Sequence, residues 1–229
     1  MRNFKCFLPT LVCLAVFISL PASTRGGESA TNSAPQQGPR VWVDIQPGTG
    51  LKEWTRVAIP PTNHLGRAQW HAEADGMLVC DGDGGHEMLR FDRELADCVF
   101  HVEFCFTPVN GTNHNYNSGV FIRNSTDGTI WHQAQLTSNG GYLFGNTLAN
   151  GQPKRFKLSP TEARMKTAGE WNIMDLTARG KVISVRLNGA DTCVWTDCEV
   201  PKGYIALESE GFRIEFRNLK LKEIATGDK

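Results

Sequence analysis

The sequence predicts an all-β fold, a sandwich of two antiparallel sheets, and three observations predict it. Apolar and polar residues alternate through 98–106, where Phe100, Val102, Phe104 and Phe106 form one apolar face. Asn188-Gly189 follows a second alternating run and is a strong hairpin-turn signal. Further short alternating runs succeed one another along a single long stretch of 229 residues with no internal repeat.

The elements read as follows. Residues 1–25 read as a secretory signal peptide: Arg2 and Lys5 precede an apolar run, and Pro21, Ala22 and Ser23 offer a small-residue cleavage zone. The run is short for a membrane-spanning helix, so the expectation is a secreted or periplasmic protein with no span after cleavage. Residues 26–40 are rich in Ser, Gln, Pro and Gly and read as a flexible linker. The domain then occupies 41–225. Within it, 118–124 places Val120 and Ile122 toward a core, 181–187 does the same with Ile183, Val185 and Leu187, and 204–210 and 212–221 close the set. One helix-like stretch, 159–165, carries a Ser159-Pro160 start.

Charge and cysteine content narrow the function. The 24 basic and 24 acidic side chains cancel, which argues against nucleic-acid binding driven by bulk charge. Five cysteines follow the leader, and the absence of a C-x-x-C pair speaks against structural zinc. Cys193 and Cys198 flank a turn and are the one pair considered for a disulfide; buried thiols acting as small hydrophobes are the alternative. Asp81-Gly82-Asp83-Gly84-Gly85-His86 lacks the calcium-loop spacing and its closing Glu, and reads as a polar turn.

Four motifs carry a resemblance. Asn117-Ser118-Gly119-Val120-Phe121-Ile122-Arg123, Gly169-Glu170-Trp171-Asn172, Leu187-Asn188-Gly189 and Phe216-Arg217-Asn218-Leu219 stand in an order and spacing that resemble the family once called domain of unknown function 1080. That family is described as 3-keto-disaccharide hydrolase, or 3-keto-glucoside lyase/hydratase. The resemblance implies a concanavalin A-like jelly roll outside the cytoplasm and a carbohydrate or oxidised glycoside as partner. It also implies chemistry at C1–C2: a ketone at C3 acidifies the C2 hydrogen, a base removes it, and the enolate expels the C1 substituent.

Strand parity sorts the candidate residues. In 130–136, Trp131, Gln133 and Gln135 share one face, while His132 falls with Ile130, Ala134 and Leu136. In 204–210, Ile205 and Leu207 point inward, and Glu208 and Glu210 outward. Arg123 is out of phase with Val120 and Ile122, which assigns it to the outward face. The catalytic candidates are therefore Glu208 or Glu210 as base and Arg123 as a clamp on the enolate or a hydroxyl, with a structural ion pair to Glu208 as the alternative for Arg123. Trp131, Gln133, Gln135 and Asn117 are the candidates for holding the sugar, and His132 and Tyr142 are counted with them. Where the resembled family commonly shows Glu-x-Gln and a later Asp, this chain has Gln133, Gln135 and Thr137; where it shows Gln and His, this chain has Glu208 and Glu210. Two readings stay open: an enzyme whose acid has moved, or a carbohydrate-binding sandwich that lacks one. No cofactor is implied with certainty, and a divalent metal stays open. Glu208 and Glu210 lie about 6–7 Å apart on one strand, so both reach a sugar from one side, unlike the flanking pair of an ordinary glycosidase.

Overall fold

The computed structural model describes residues 41–110, 115–138 and 140–225. The signal peptide expected at 1–25 and the linker at 26–40 lie outside the described residues. Fifteen strands are described: β1 (Val43–Asp44), β2 (Trp54–Ala58), β3 (Trp70–Ala72), β4 (Leu78–Cys80), β5 (Glu87–Phe91), β6 (Cys98–Phe106), β7 (Ser118–Asn124) and β8 (Trp131–Leu136). They continue with β9 (Leu143–Ala149), β10 (Gln152–Leu158), β11 (Asn172–Arg179), β12 (Val182–Leu187), β13 (Ala190–Trp195), β14 (Tyr204–Ser209) and β15 (Ile214–Glu223). All pairings between them are antiparallel. One sheet runs β13-β12-β11-β6-β15-β4-β3, with β1 also on β15; the other runs β10-β9-β8-β7-β14-β5-β2. Neighbours in each sheet are often distant in sequence, as in a jelly roll, so the sandwich closes only when long-range pairs form.

The inner faces of both sheets supply the core. Phe100, Val102 and Phe104 of β6, Met174 and Leu176 of β11, and Ile214 and Phe216 of β15 meet Val120, Ile122, Ala134, Leu143, Ile205 and Leu207 from the opposite sheet. Each of the larger side chains contributes about 1.5–3 kcal/mol by leaving water. The β12–β13 hairpin turns at Asn188 (φ 46°) and Gly189 (φ 87°), the pair of positive φ values that its two-residue loop requires.

Two expectations are corrected. The stretch 159–165 is irregular rather than helical. It is too short to nucleate a helix alone, and its backbone bonds elsewhere: the Thr161 amide donates to the Thr192 carbonyl of β13 at 2.8 Å. Cys193 and Cys198 form no disulfide; all five described cysteines are free and buried. The Cys193 thiol turns toward the Leu158 carbonyl, and that of Cys198 toward Arg123 and Val200.

Candidate active site

The outward face of the second sheet holds a cleft of about 670 Å³. Its floor comes from β7, β8 and β14, and β5, β9 and β10 add its sides. Gly119 on β7 is the key to the floor. Its register partner on β8 is Gln135, and the Val120–Leu207 pair places Glu208 of β14 on its other side. A Cβ on Gly119 would collide with Gln133 Nε2. With no side chain there, long polar groups from β8 and β14 meet above the backbone.

They meet as a continuous chain. Gln135 Nε2 donates to Asn117 Oδ1. Gln133 Nε2 donates to Gln135 Oε1 at 3.1 Å and to Glu208 Oε2 at 2.6 Å. His86 Nε2 lies 2.9 Å from Glu208 Oε1 and 3.9 Å from Glu210 Oε2. The Glu208 side chain is only 4% exposed, against 39% for both His86 and Glu210. Ser118 fixes the same strand from its other side by donating to the Glu208 carbonyl at 2.8 Å.

Burial sets the proton affinity here. It pushes the Glu208 carboxyl above the usual carboxylate range, with the bond to His86 opposing and the charge of Glu210 adding to the rise. The bond to Glu208 raises His86 in turn, against burial, so the imidazole favours its proton. Burial, with Glu208 and Glu210 nearby, also raises the Tyr142 phenol and keeps it a hydrogen-bond donor. His86, Glu208 and Glu210 each present one donor atom within 4.8 Å of the others, a spacing that suits a divalent cation.

Seven of the nine residues proposed from sequence line this cleft: Glu208, Glu210, Trp131, Gln133, Gln135, Asn117 and Tyr142. Arg123 does not. A β-bulge sets Ile122 and Arg123 opposite the single residue Ile205, and Arg123 adopts φ 53°. The side chain is thereby turned inward and is 1% exposed. It donates to the carbonyls of Gly180 (2.7 Å) and Val200 (2.8 Å) and pairs with Asp97 at 2.7 Å, not with Glu208. Arg123 is thus a buried clamp between loops, and the alternation that assigned it outward fails because the bulge shifts the phase. His132 is also in the core, where Nε2 lies 3.0 Å from Thr147 Oγ1 and Nδ1 3.2 Å from the Ile122 carbonyl. Its parity with Ala134 and Leu136 had placed it there.

Sequence reasoning missed His86 and the apolar side of the cleft. His86 lies in the polar turn before β5, where no periodicity operates, and only the pairing of β5 with β14 brings it to Glu208. Phe121 carried a signal: an aromatic out of phase with Val120 and Ile122 faces away from the core.

A jelly-roll sandwich with a polar cleft on the outward face of one sheet is a framework that carbohydrate-active proteins use, and the comparisons agree. The family model described as 3-keto-alpha-glucoside-1,2-lyase-like domain matches residues 41–222, and the chain belongs to that carbohydrate-active family. No curated protein matches. Among solved structures, the carbohydrate binding module CBM66 from Bacillus subtilis is similar with a TM-score of 0.56, at 13% identity over 77% of this chain and 99% of that one. A Bacillus licheniformis beta-glucanase gives 0.56 at 12% identity, over 83% of this chain and 100% of its own. A prokaryotic beta-1,3-1,4-glucanase from a mouse hindgut metagenome gives 0.53 at 10% identity, over 80% and 98%. At these identities the likeness is one of fold. No helix among the described residues is long and apolar enough to cross a membrane.

Proposed function

We propose that this protein is an exported enzyme that cleaves the C1–O bond of 3-keto-glycosides by β-elimination, with Glu208 as the base. The observation that carries the reading is a carboxylate whose proton affinity is raised by burial, held at the floor of an open cleft by His86 and Gln133. A burial-raised carboxylate is a better match to a C–H acid than a solvated one.

The steps balance. Glu208 takes the C2 proton, and the electron pair forms the enolate with the C3 ketone. Collapse of the enolate breaks the C1–O bond, and the His86 imidazolium gives its proton to the departing oxygen. The proton on Glu208 then passes to His86 across their 2.9 Å contact, which restores both groups. Water adds to the unsaturated sugar, OH at C1 and H at C2, and completes a net hydrolysis. Glu210 keeps His86 charged, and Asn117, Gln135 and Tyr142 meet the sugar hydroxyls. The enolate clamp first assigned to Arg123 passes to Tyr142, whose phenol stays protonated.

The test is release of aglycone from 3-keto-glucosides of both anomers, in chelator and with added divalent metal. Glu208→Gln lowers kcat by about 10²–10⁴, the usual worth of a general base, without loss of the fold. Release that strictly requires metal would move Glu208, Glu210 and His86 from proton transfer to ligation. Sugar binding with no release under any condition would leave a carbohydrate-binding sandwich.

A further inference from the structure

The cleft has a second, apolar half that the elimination chemistry does not use. Met88, Phe121 and Ala206 form a buried cluster on the outward face of the sheet, with Val57, Ile59 and Trp131 packed against it. That packing leaves Met88 and Phe121 only 4% exposed, and the half-buried Trp131, Ile59 and Phe144 complete the apolar wall that the cleft meets. The three aromatics are held rigidly: Trp131 stands edge-on to Phe121 (centroids 6.5 Å, 82°) and to Phe144 (5.0 Å, 88°). The Arg155 guanidinium lies 5.1 Å from the Trp131 ring.

The register fixes the distance from the chemistry. Phe121 lies between Ala206 on β14 and Gln133 on β8, two residues along β14 from Glu208. That step is about 6–7 Å, close to the span of one ring. A sugar held with C2 over Glu208 can therefore place its C1 substituent on the patch of Met88, Phe121 and Trp131.

We infer that this half is an aglycone subsite for an aromatic group, so that the substrates are aryl 3-keto-glycosides rather than disaccharides. This deepens the proposed function and rests on it for the position of the sugar. A second hexose here would surrender hydration from several hydroxyls. Of the polar side chains bordering the patch, Asn124 is committed to the His132 amide and to Met88 Sδ, and Gln133 to Gln135 and Glu208. Arg155 lies over the Trp131 ring, where it favours an aromatic neighbour as readily as a hydroxyl. Unmet hydroxyls are costly to bury, whereas an aryl ring gains apolar contact and edge-to-face packing with Phe121 and Trp131.

The experiment compares kcat/KM for matched phenyl, methyl and glucosyl 3-keto-glucosides, alongside calorimetric binding of the unoxidised phenyl and glucosyl glucosides to the same protein. The phenyl compound is expected to lead methyl and glucosyl in kcat/KM, and glucosyl in affinity, by tenfold or more. Phe121→Leu, which keeps volume but removes the ring, reduces the phenyl-to-glucosyl ratio several-fold, and Trp131→Leu serves as a second variant should the first be poorly folded. Equal values for phenyl and glucosyl, or a ratio unmoved in both folded variants, overturns the inference. If no 3-keto-glycoside is cleaved, the proposed elimination fails by itself, and the binding comparison still decides whether the subsite is aromatic.

Discussion

Glu208 and Glu103 are both strand carboxylates that face away from the shared core, on opposite sheets, and their surroundings drive them in opposite directions. Glu208 is nearly sealed from water, meets a neutral amide and an imidazole, and has a second carboxylate close by; burial wins and its proton affinity rises. Glu103 on β6 also feels burial, but hydrogen bonds from Arg217 (2.7 Å) and Asn218 (2.7 Å) outweigh it and hold the carboxyl low. Arg217 is itself stacked 3.9 Å from the Trp171 ring. Two of the four motifs behind the family resemblance thus meet on the Glu103 side as scaffolding, while the Asn117–Arg123 motif builds the cleft floor. A permanent cation with full hydrogen bonding makes a carboxylate structural; burial with a titratable partner leaves it able to move protons.

The sharpest break of that comparison is a paired substitution. Glu208→Gln should cost about 10²–10⁴ in turnover, and Glu103→Gln should leave turnover near wild type. Their stability effects should have opposite signs. A carboxyl whose folded pKa is raised contributes stability in full below its unfolded pKa and loses it as pH rises through the folded value, so at neutral pH Glu208→Gln relieves a burial cost and raises the urea midpoint. Glu103→Gln lowers it. Matching signs would mean that the two sites differ less than their environments imply.

Arg123 carries the next largest effect, and the cleft does not. Arg123→Ala leaves Asp97 with the Gly180 amide and strands the Gly180 and Val200 carbonyls. Loss of one partner from a buried ion pair costs about 3–5 kcal/mol, and the partial exposure of Asp97 puts this one at the lower end. Urea unfolding measures it. A stable variant with impaired catalysis would instead return Arg123 to the functional residues.

These contrasts also mark what the sequence discloses. The alternation of β6, the Asn188-Gly189 hairpin and the outward parity of Glu208, Glu210, Gln133 and Gln135 are local patterns, and the structure keeps each of them. The inward turn of Arg123 is not local. Positive φ is uncommon outside glycine, and the bulge that imposes it is defined by pairing with β14, some eighty residues later in the chain. His86 was hidden for the same reason, since a loop residue joins a site through partners that are distant in sequence. The 159–165 stretch shows the converse, a local cap signal overridden by bonding to a neighbouring strand.

His132 sharpens the role of burial alone. With neutral partners, the sealed imidazole is lowered to about 4 from 6.5, first by burial and then by the charge of Arg123, against hydrogen bonds that favour the charged form. Its folded pKa lies below the unfolded one, so the unfolded chain binds more protons between these values. The stabilisation is full above pH 6.5 and is lost as pH falls toward 4, by about 3 kcal/mol at 1.36 kcal/mol per unit. Urea midpoints from pH 7 to 4.5 should fall steeply in the wild type and less so in His132→Gln.

The smallest effect tests the scaffold side. Glu103 is 14% exposed but Arg217 is 45% exposed, so solvent screens the pair and Glu103→Gln should cost no more than about 1 kcal/mol. Because the Glu103 pKa is lowered by folding, that contribution is complete above the ordinary carboxyl range and disappears as pH falls through the folded value. Wild type and Glu103→Gln should therefore differ at pH 7 and converge in acid, whereas the Glu208→Gln advantage should grow as pH rises. A Glu103 difference that persists at pH 2 would assign its worth to packing beneath the Arg217–Trp171 stack rather than to charge.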